Sequence, residues 1–172
     1  MPSHKHIFQK YLNNYFIETG SFKGEGIQIA LEAGFAYVKS VEIDEQRWRD
    51  CLLKFHNNSR VQLYYGSTED KLWDMIKNID VPCTFWLDAH WSGPGEPMSS
   101  QKCPLETELD IIKQHPIKNH TIMIDDMRCC NTDYFDYKTK EILENKLLSI
   151  NPSYKLIYED SWEPKDILVA SI

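Results

Sequence analysis

The chain has 172 residues, 42% hydrophobic and 26% charged, proportions that suit one globular domain with one core. Its net charge is -7, and no cluster of lysine and arginine stands out to neutralise phosphates, so a nucleic acid is not expected as partner. The longest apolar runs, such as residues 167–170, are too short to span a bilayer, and Met1-Pro2-Ser3-His4-Lys5-His6 lacks the apolar centre of a signal peptide. No membrane partner is therefore expected, and the cytoplasm is the default location. Cys51, Cys83, Cys103, Cys129 and Cys130 form no CxxC pair and are odd in number, which argues against a disulfide framework or a zinc ribbon and fits a reducing compartment. The adjacent Cys129 and Cys130 read as buried or incidental rather than as a ligand pair.

In chain order, residues 3–13 place Ile7, Phe8, Tyr11 and Leu12 at helical spacing. This N-terminal helix is read as packing on the core or as a lid over the site. A strand over 15–18 ends at Thr19-Gly20, and a helix over 25–33 is closed by Gly34. A strand over 38–43, a helix over 45–55, a strand over 61–65 and a helix over 68–77 follow. Residues 83–87 are almost continuously apolar, as in a strand covered on both faces. A loop rich in Gly, Pro and Ser spans 92–100, then come a helix over 104–114, a strand over 121–124 and a helix over 137–149. Residues 154–158 and 167–172 read as an antiparallel pair around Pro164. Strands alternating with helices mean a parallel sheet with right-handed crossovers, hence a single α/β domain over residues 1–172. Ligands on such a sheet sit beyond the carboxyl ends of its strands.

The first strand runs into Glu18-Thr19-Gly20-Ser21-Phe22-Lys23-Gly24-Glu25-Gly26. Glycines allow close approach to a ligand, and the next helix offers free amide hydrogens. The second strand ends in Glu42-Ile43, an acid placed to take both hydroxyls of a ribose. A dinucleotide loop reads GxGxxG, whereas this one reads GxxxGxG behind Glu18. A carboxylate there repels a pyrophosphate and suits an ammonium and a sulfonium, which favours S-adenosylmethionine over NAD. Ser67 and Thr68, after the third strand, are placed to frame the adenine or to cap the following helix. The fourth strand ends in Asp88-Ala89-His90-Trp91 and the fifth in Asp125-Asp126. Three carboxylates at neighbouring strand tips raise one another's pKa unless a cation sits among them, and such oxygen ligands suit Mg²⁺ or Mn²⁺. His90 is placed as the general base.

From about Phe16 to Arg128 the chain resembles the class I S-adenosylmethionine-dependent methyltransferases, and among them the catechol O-methyltransferase type. Glu18, Gly20 and Gly24 match its glycine loop, Glu42-Ile43 its second strand end, and Gly66, Thr68 and Asp70 the run after its third strand. Trp86-Leu87-Asp88-Ala89-His90-Trp91 matches its fourth strand with one extra residue before the histidine, and Ile124-Asp125-Asp126 its fifth, with Asp126 where the family has Asn. The resemblance implies a Rossmann-like three-layer sandwich around a mostly parallel seven-stranded sheet with a C-terminal antiparallel hairpin. It also implies a methyl transfer from S-adenosylmethionine bound by Glu18, Gly20, Ser21, Gly24, Glu42, Ile43, Ser67, Thr68 and Asp88. A metal held by Asp88, Asp125 and Asp126 would draw in the acceptor hydroxyl. The family's lysine base has no counterpart, since Trp91 and Ser92 stand there, so His90 with Asp88 is taken as the catalytic pair. The segments around Trp86–Gly93, Cys103–Leu105 and Ile124–Arg128 are also similar to small methyltransferase-like proteins of microbial and viral surface-glycan gene sets. That likeness implies a sugar hydroxyl as acceptor, beside a small molecule. The alternatives are a protein that binds the cofactor without transferring a methyl group and a nucleotide-binding oxidoreductase. A homodimer is left open.

Overall fold

The computed structural model describes residues 4–172. Its sheet follows from period-two alternation. In β1 (Tyr15–Thr19) the neighbours Phe16 and Ile17 enter opposite cores, as do Trp86 and Phe85 in β4 (Cys83–Leu87) and Met123 and Ile122 in β5 (Thr121–Ile124). All six are buried, so both faces of these central strands are covered. β2 (Tyr37–Glu42), β3 (Val61–Tyr65), β6 (Lys155–Glu159) and β7 (Ile167–Ser171) complete a seven-stranded sheet of order β3-β2-β1-β4-β5-β7-β6. β1 to β5 pair in parallel, while β7 lies between β5 and β6 and runs antiparallel to both. The chain moves outward from β1 through β2 and β3, then returns to β4 on the other side of β1. The strand order therefore switches between β1 and β4, where a crevice opens at the carboxyl ends.

On one face, α1 (Lys5–Lys10), α2 (Glu25–Ala33) and α3 (Glu45–Phe55) bury Ile7, Phe8, Ile27 and Phe55 against Phe16, Trp86 and Met123. On the other, α4 (Thr68–Ile76), α5 (Leu105–Gln114) and α6 (Lys140–Ile150) bury Leu72, Leu109, Ile112, Leu143 and Leu147 against Ile17, Phe85 and Ile122. Side-chain caps set three of the helix starts: Asp44 accepts from Arg47 N, Ser67 from Asp70 N and Thr139 from Ile142 N. No helix among the described residues is long and apolar enough to cross a membrane.

The elements expected from sequence are present with shifted ends. α1 is shorter than the expected 3–13, and Ser3 lies outside the described residues. α6 begins at Lys140 rather than at 137, because Asp136 and Tyr137 take left-handed φ values of 48° and 57° and Thr139 supplies the cap. Two single 3₁₀ turns, Met127–Cys129 and Asp133–Phe135, fill the stretch after β5. Each is too short to leave a periodic signal.

A candidate cofactor and acceptor site

A cavity of about 570 Å³ opens at the carboxyl ends of the strands, within the size range of small-molecule sites. Gly20, Glu42, Ile43, Ser67 and Thr68 line one end, and Asp88, His90, Trp91, Asp126, Arg128, Cys129 and Tyr134 line the other. The switch between β1 and β4 thus brings most of the predicted residues into one crevice.

At the tip of β1, Gly20 and Ser21 both donate their N–H to Val41 O at 3.0 Å, which folds the loop back over β2. Gly20 has φ +85°, and a Cβ there would stand 2.7 Å from Asp88 O. The close approach of β1 to β4 therefore requires glycine. Glu18, Ser21 and Gly24, expected on the cofactor, do not line the cavity. Ser40 donates to Glu18 Oε2 at 2.5 Å, and the Ser21 and Ser40 hydroxyls lie 2.6 Å apart. Gly26 leaves room for the Glu18 carboxyl, whose Oε1 would be 1.9 Å from a Cβ on that residue. Gly24, at φ +70°, begins α2 against the Phe55 ring. These residues build the turn from behind. Burial pushes the Glu18 carboxyl up to about 8, with the Ser40 hydrogen bond opposing and Glu42 adding to the rise. The expected pairing of this carboxylate with an ammonium therefore depends on its protonation state.

Glu42 holds the position expected of it. It is buried, and its oxygens accept from Phe22 N at 2.7 Å and Asp44 N at 2.9 Å. Burial raises its pKa, and those two backbone donors counter the rise. Each carboxylate oxygen has a second lone pair, so the capacity for a ribose hydroxyl remains. Ser67 caps α4 and lines the cavity.

At the other end, His90 stands between two aspartates. Its Nδ1 lies 3.6 Å from Asp88 Oδ1 and its Nε2 3.2 Å from Asp126 Oδ2. Burial lowers the His90 pKa, Asp126 raises it and Arg128 lowers it again, so a neutral imidazole with a free lone pair is favoured at neutral pH. Arg128 bridges Asp126, at 2.5 Å from Oδ1, and the buried Asp166 at the entry to β7. Desolvation and then Asp125 and Asp126 push Asp88 well above the carboxylate range. Burial followed by Asp126 pushes Asp125 up to about 7.

The metal set Asp88, Asp125 and Asp126 is not assembled. Asp125 and Asp126 group with Asp166, their oxygens within 4.8 Å of one another, and Asp88 stands apart beside His90. Arg128 already neutralises Asp126 and Asp166, and Asp125 Oδ1 is taken by Asp126 N. A hard cation needs charged oxygens free to turn toward it, so these residues do not fit Mg²⁺ as they stand. Residues that sequence reasoning missed are Asp166, whose contact with Arg128 spans 38 positions, and Cys129, which lines the cavity while Cys130 is buried. Of the two readings of the N-terminal helix, α1 packs on the core: none of its residues lines the cavity, and Phe8 lies 4.7 Å from Phe16 and 5.0 Å from Trp86 between ring centres.

The sequence matches no protein-family model and no curated protein. Among solved structures, the O-methyltransferase from Bacillus cereus in complex with SAH is 13% identical, with 98% of this chain and 78% of that chain covered at a TM-score of 0.62. The SAH-bound methyltransferase PaMTH1 of Podospora anserina is 11% identical, covering 97% and 75% at a TM-score of 0.64. The fold is that of the class I methyltransferases. A protein assigned as an rRNA methylase from Clostridium thermocellum is as similar, 13% identical over 96% of this chain and 92% of that chain at a TM-score of 0.64. The shared fold leaves the acceptor to be argued from the site.

Proposed function

We propose that this protein transfers a methyl group from S-adenosylmethionine to a hydroxyl of a small molecule or glycan. The observation that carries this reading is the continuity of one cavity from Glu42 and Ser67 past Gly20 to His90. An acid for a ribose, a glycine turn and a neutral base thus occur in the order that the cofactor and an acceptor need. The cofactor supplies an electrophilic sulfonium methyl group. Glu42 accepts from the ribose hydroxyls, and Ile43 and Phe22 give apolar walls. His90 would take the proton that the acceptor oxygen loses as its bond to the methyl carbon forms and the carbon–sulfur bond breaks. Asp126, 3.2 Å from His90 Nε2, favours the imidazolium that results.

Trp91 and Tyr134 stand side by side at the acceptor end, ring centres 6.0 Å apart, a surface that suits a ring-shaped acceptor such as a sugar or phenol. The cations at the cavity are paired, Arg47 with Glu96, Lys102 with Asp133, and Arg128 with Asp126 and Asp166. That pairing disfavours a phosphate-rich acceptor such as a nucleic acid. Magnesium or manganese assistance is a second reading, favoured by the grouping of Asp125, Asp126 and Asp166. It requires Arg128 to move away, and no step above passes through a metal.

The test is transfer of a labelled methyl group to a panel of sugars, phenols and catechols, followed against pH. Because the His90 pKa is lowered from 6.5, kcat/KM should be level around neutrality and fall only below pH 6.5. His90→Asn should lose roughly 10²–10⁴-fold, the usual worth of a positioned base. Full activity in His90→Asn removes the base, and absence of transfer across the panel with bound cofactor removes the enzyme reading.

A further inference from the structure

The segment after β5 presents a second set of donors. Asp126 and Cys129 are three residues apart across one 3₁₀ turn, with Cys129 N donating to Asp126 O at 2.8 Å. Asp126 has the left-handed φ of 58°, a conformation that a non-glycine residue keeps only where its surroundings impose it. His90 comes from the β4 tip to meet this pair. One nitrogen, one carboxylate oxygen and one sulfur then lie within 4.8 Å of one another.

We propose that His90, Asp126 and Cys129 bind one thiophilic divalent cation of the zinc class, with its open position facing the acceptor half of the cavity. A donor set of imidazole, carboxylate and thiolate suits Zn²⁺ and not Mg²⁺, and three protein ligands with one free position are the arrangement of zinc sites that admit a further ligand. Two of the donors are also oriented from behind. His90 turns Nδ1 toward Asp88 Oδ1, 3.6 Å away, and so aims Nε2 into the site. Arg128 holds Asp126 by Oδ1, which leaves Oδ2 for the site, and Asp166 anchors Arg128. Metal-binding histidines and carboxylates are commonly oriented by such partners. All three donors line the cavity. Bound there, the cation occupies the His90 lone pair, and methyl transfer, on the function proposed above, falls with equimolar Zn²⁺. Binding itself does not rest on that function.

The test uses the full chain, freed of metal and without cofactor or acceptor, titrated with Co²⁺. One equivalent should bind with a near-ultraviolet sulfur-to-cobalt charge-transfer band, and Zn²⁺ should displace it. The band should vanish in Cys129→Ser, since the other four cysteines are buried. Asp88→Asn should weaken the cation by roughly 10–100-fold. If Cys129→Ser does not fold, alkylation of the wild type settles the matter: Zn²⁺ should protect Cys129 from a maleimide, read by peptide mapping, and Mg²⁺ should not. No sulfur band, a band that survives Cys129→Ser, or equal alkylation with and without Zn²⁺ overturns the site. Those results leave methyl transfer standing, and a failed transfer assay leaves the metal site standing.

Discussion

At the scale of single residues, Glu42 shows how a strand-end acid is prepared for a ligand. Its oxygens are fixed by Phe22 N and Asp44 N, so a ribose meets a carboxylate already oriented. A hydrogen bond to a charged group contributes about 1.5–3 kcal/mol, and about 1.4 kcal/mol is tenfold in affinity. Glu42→Ala should therefore weaken S-adenosylhomocysteine at least about tenfold by calorimetry, with circular dichroism confirming the fold. Unchanged affinity would remove the ribose from this position. Glu42, Asp88, His90 and Asp126 were legible in the sequence because each lies at or just beyond a strand end. Glu18 has the same signature, and its hydrogen bond with Ser40 on β2 appears only when the strands pair. Cys129 and Asp166 gave no local signal, since a 3₁₀ turn and a contact between distant segments leave no period to read.

Among the elements, the connection from β4 to α5 over residues 88–104 has a role that its Gly-, Pro- and Ser-rich composition did not disclose. Trp91 N donates to Lys102 O at 2.6 Å, which closes the loop on itself. Two clasps tie it to the cofactor end: Arg47 to Glu96 at 2.6 Å, and the Ser99 hydroxyl to Glu69 at 2.7 Å. The connection thus forms a strap over the end of the cavity where Glu42 and Ser67 stand. Arg47 also lies 4.7 Å over the Phe22 ring, so Glu96→Gln is the cleaner change, removing the ion pair and keeping that contact. Part-exposed pairs contribute about 0.2–1 kcal/mol. Glu96→Gln should accordingly raise the off-rate of S-adenosylhomocysteine by at most about fivefold in stopped flow, with the gap to wild type closing at high salt. An equal off-rate at low salt would show that this pair does not hold the strap. The regular elements were legible because strands and helices carry their periods in the sequence. The strap was not, because its clasps join residues brought together by the sheet.

Across the whole molecule, the sheet collects acids at its carboxyl end and a histidine pair near its other end, and the acids and His120 pull stability in opposite directions with pH. The strand and helix count was legible, whereas the insertion of β7 between β5 and β6, which brings Asp166 to Arg128, is a property of pairing. At the far end, Cys83 N donates to His120 Nδ1 at 3.0 Å, so His120 Nε2–H must donate to His115 Nδ1 at 3.1 Å, and His115 Nε2–H to Ile76 O at 3.2 Å. The buried His120 ring then has no lone pair free for another proton. Burial and then His115 push His120 down from 6.5 to about 4. A depressed histidine gives stability that is present above pH 6.5 and lost as pH falls toward 4, because the unfolded chain takes the proton first. The acids act the other way. Burial raises Glu18 to about 8, and Glu108 and Asp125 to about 7. The folded state then holds protons that the unfolded chain has released, so their stability is present at low pH and lost as pH climbs through those values. Between pH 4.5 and 6.5 His120 offsets only part of the effect of the three acids; above 6.5 only the acids titrate. Each proton still held by the folded state contributes a slope of about 1.4 kcal/mol per pH unit. Urea unfolding should therefore show stability declining from pH 6.5 to pH 8. Glu18→Gln, which mimics the protonated carboxyl, should flatten that decline by roughly 1 kcal/mol per unit. Stability that is level or rising over this range in the wild type would mean that Glu18 is ionised in the folded protein, and the anion behind the glycine turn would then be restored.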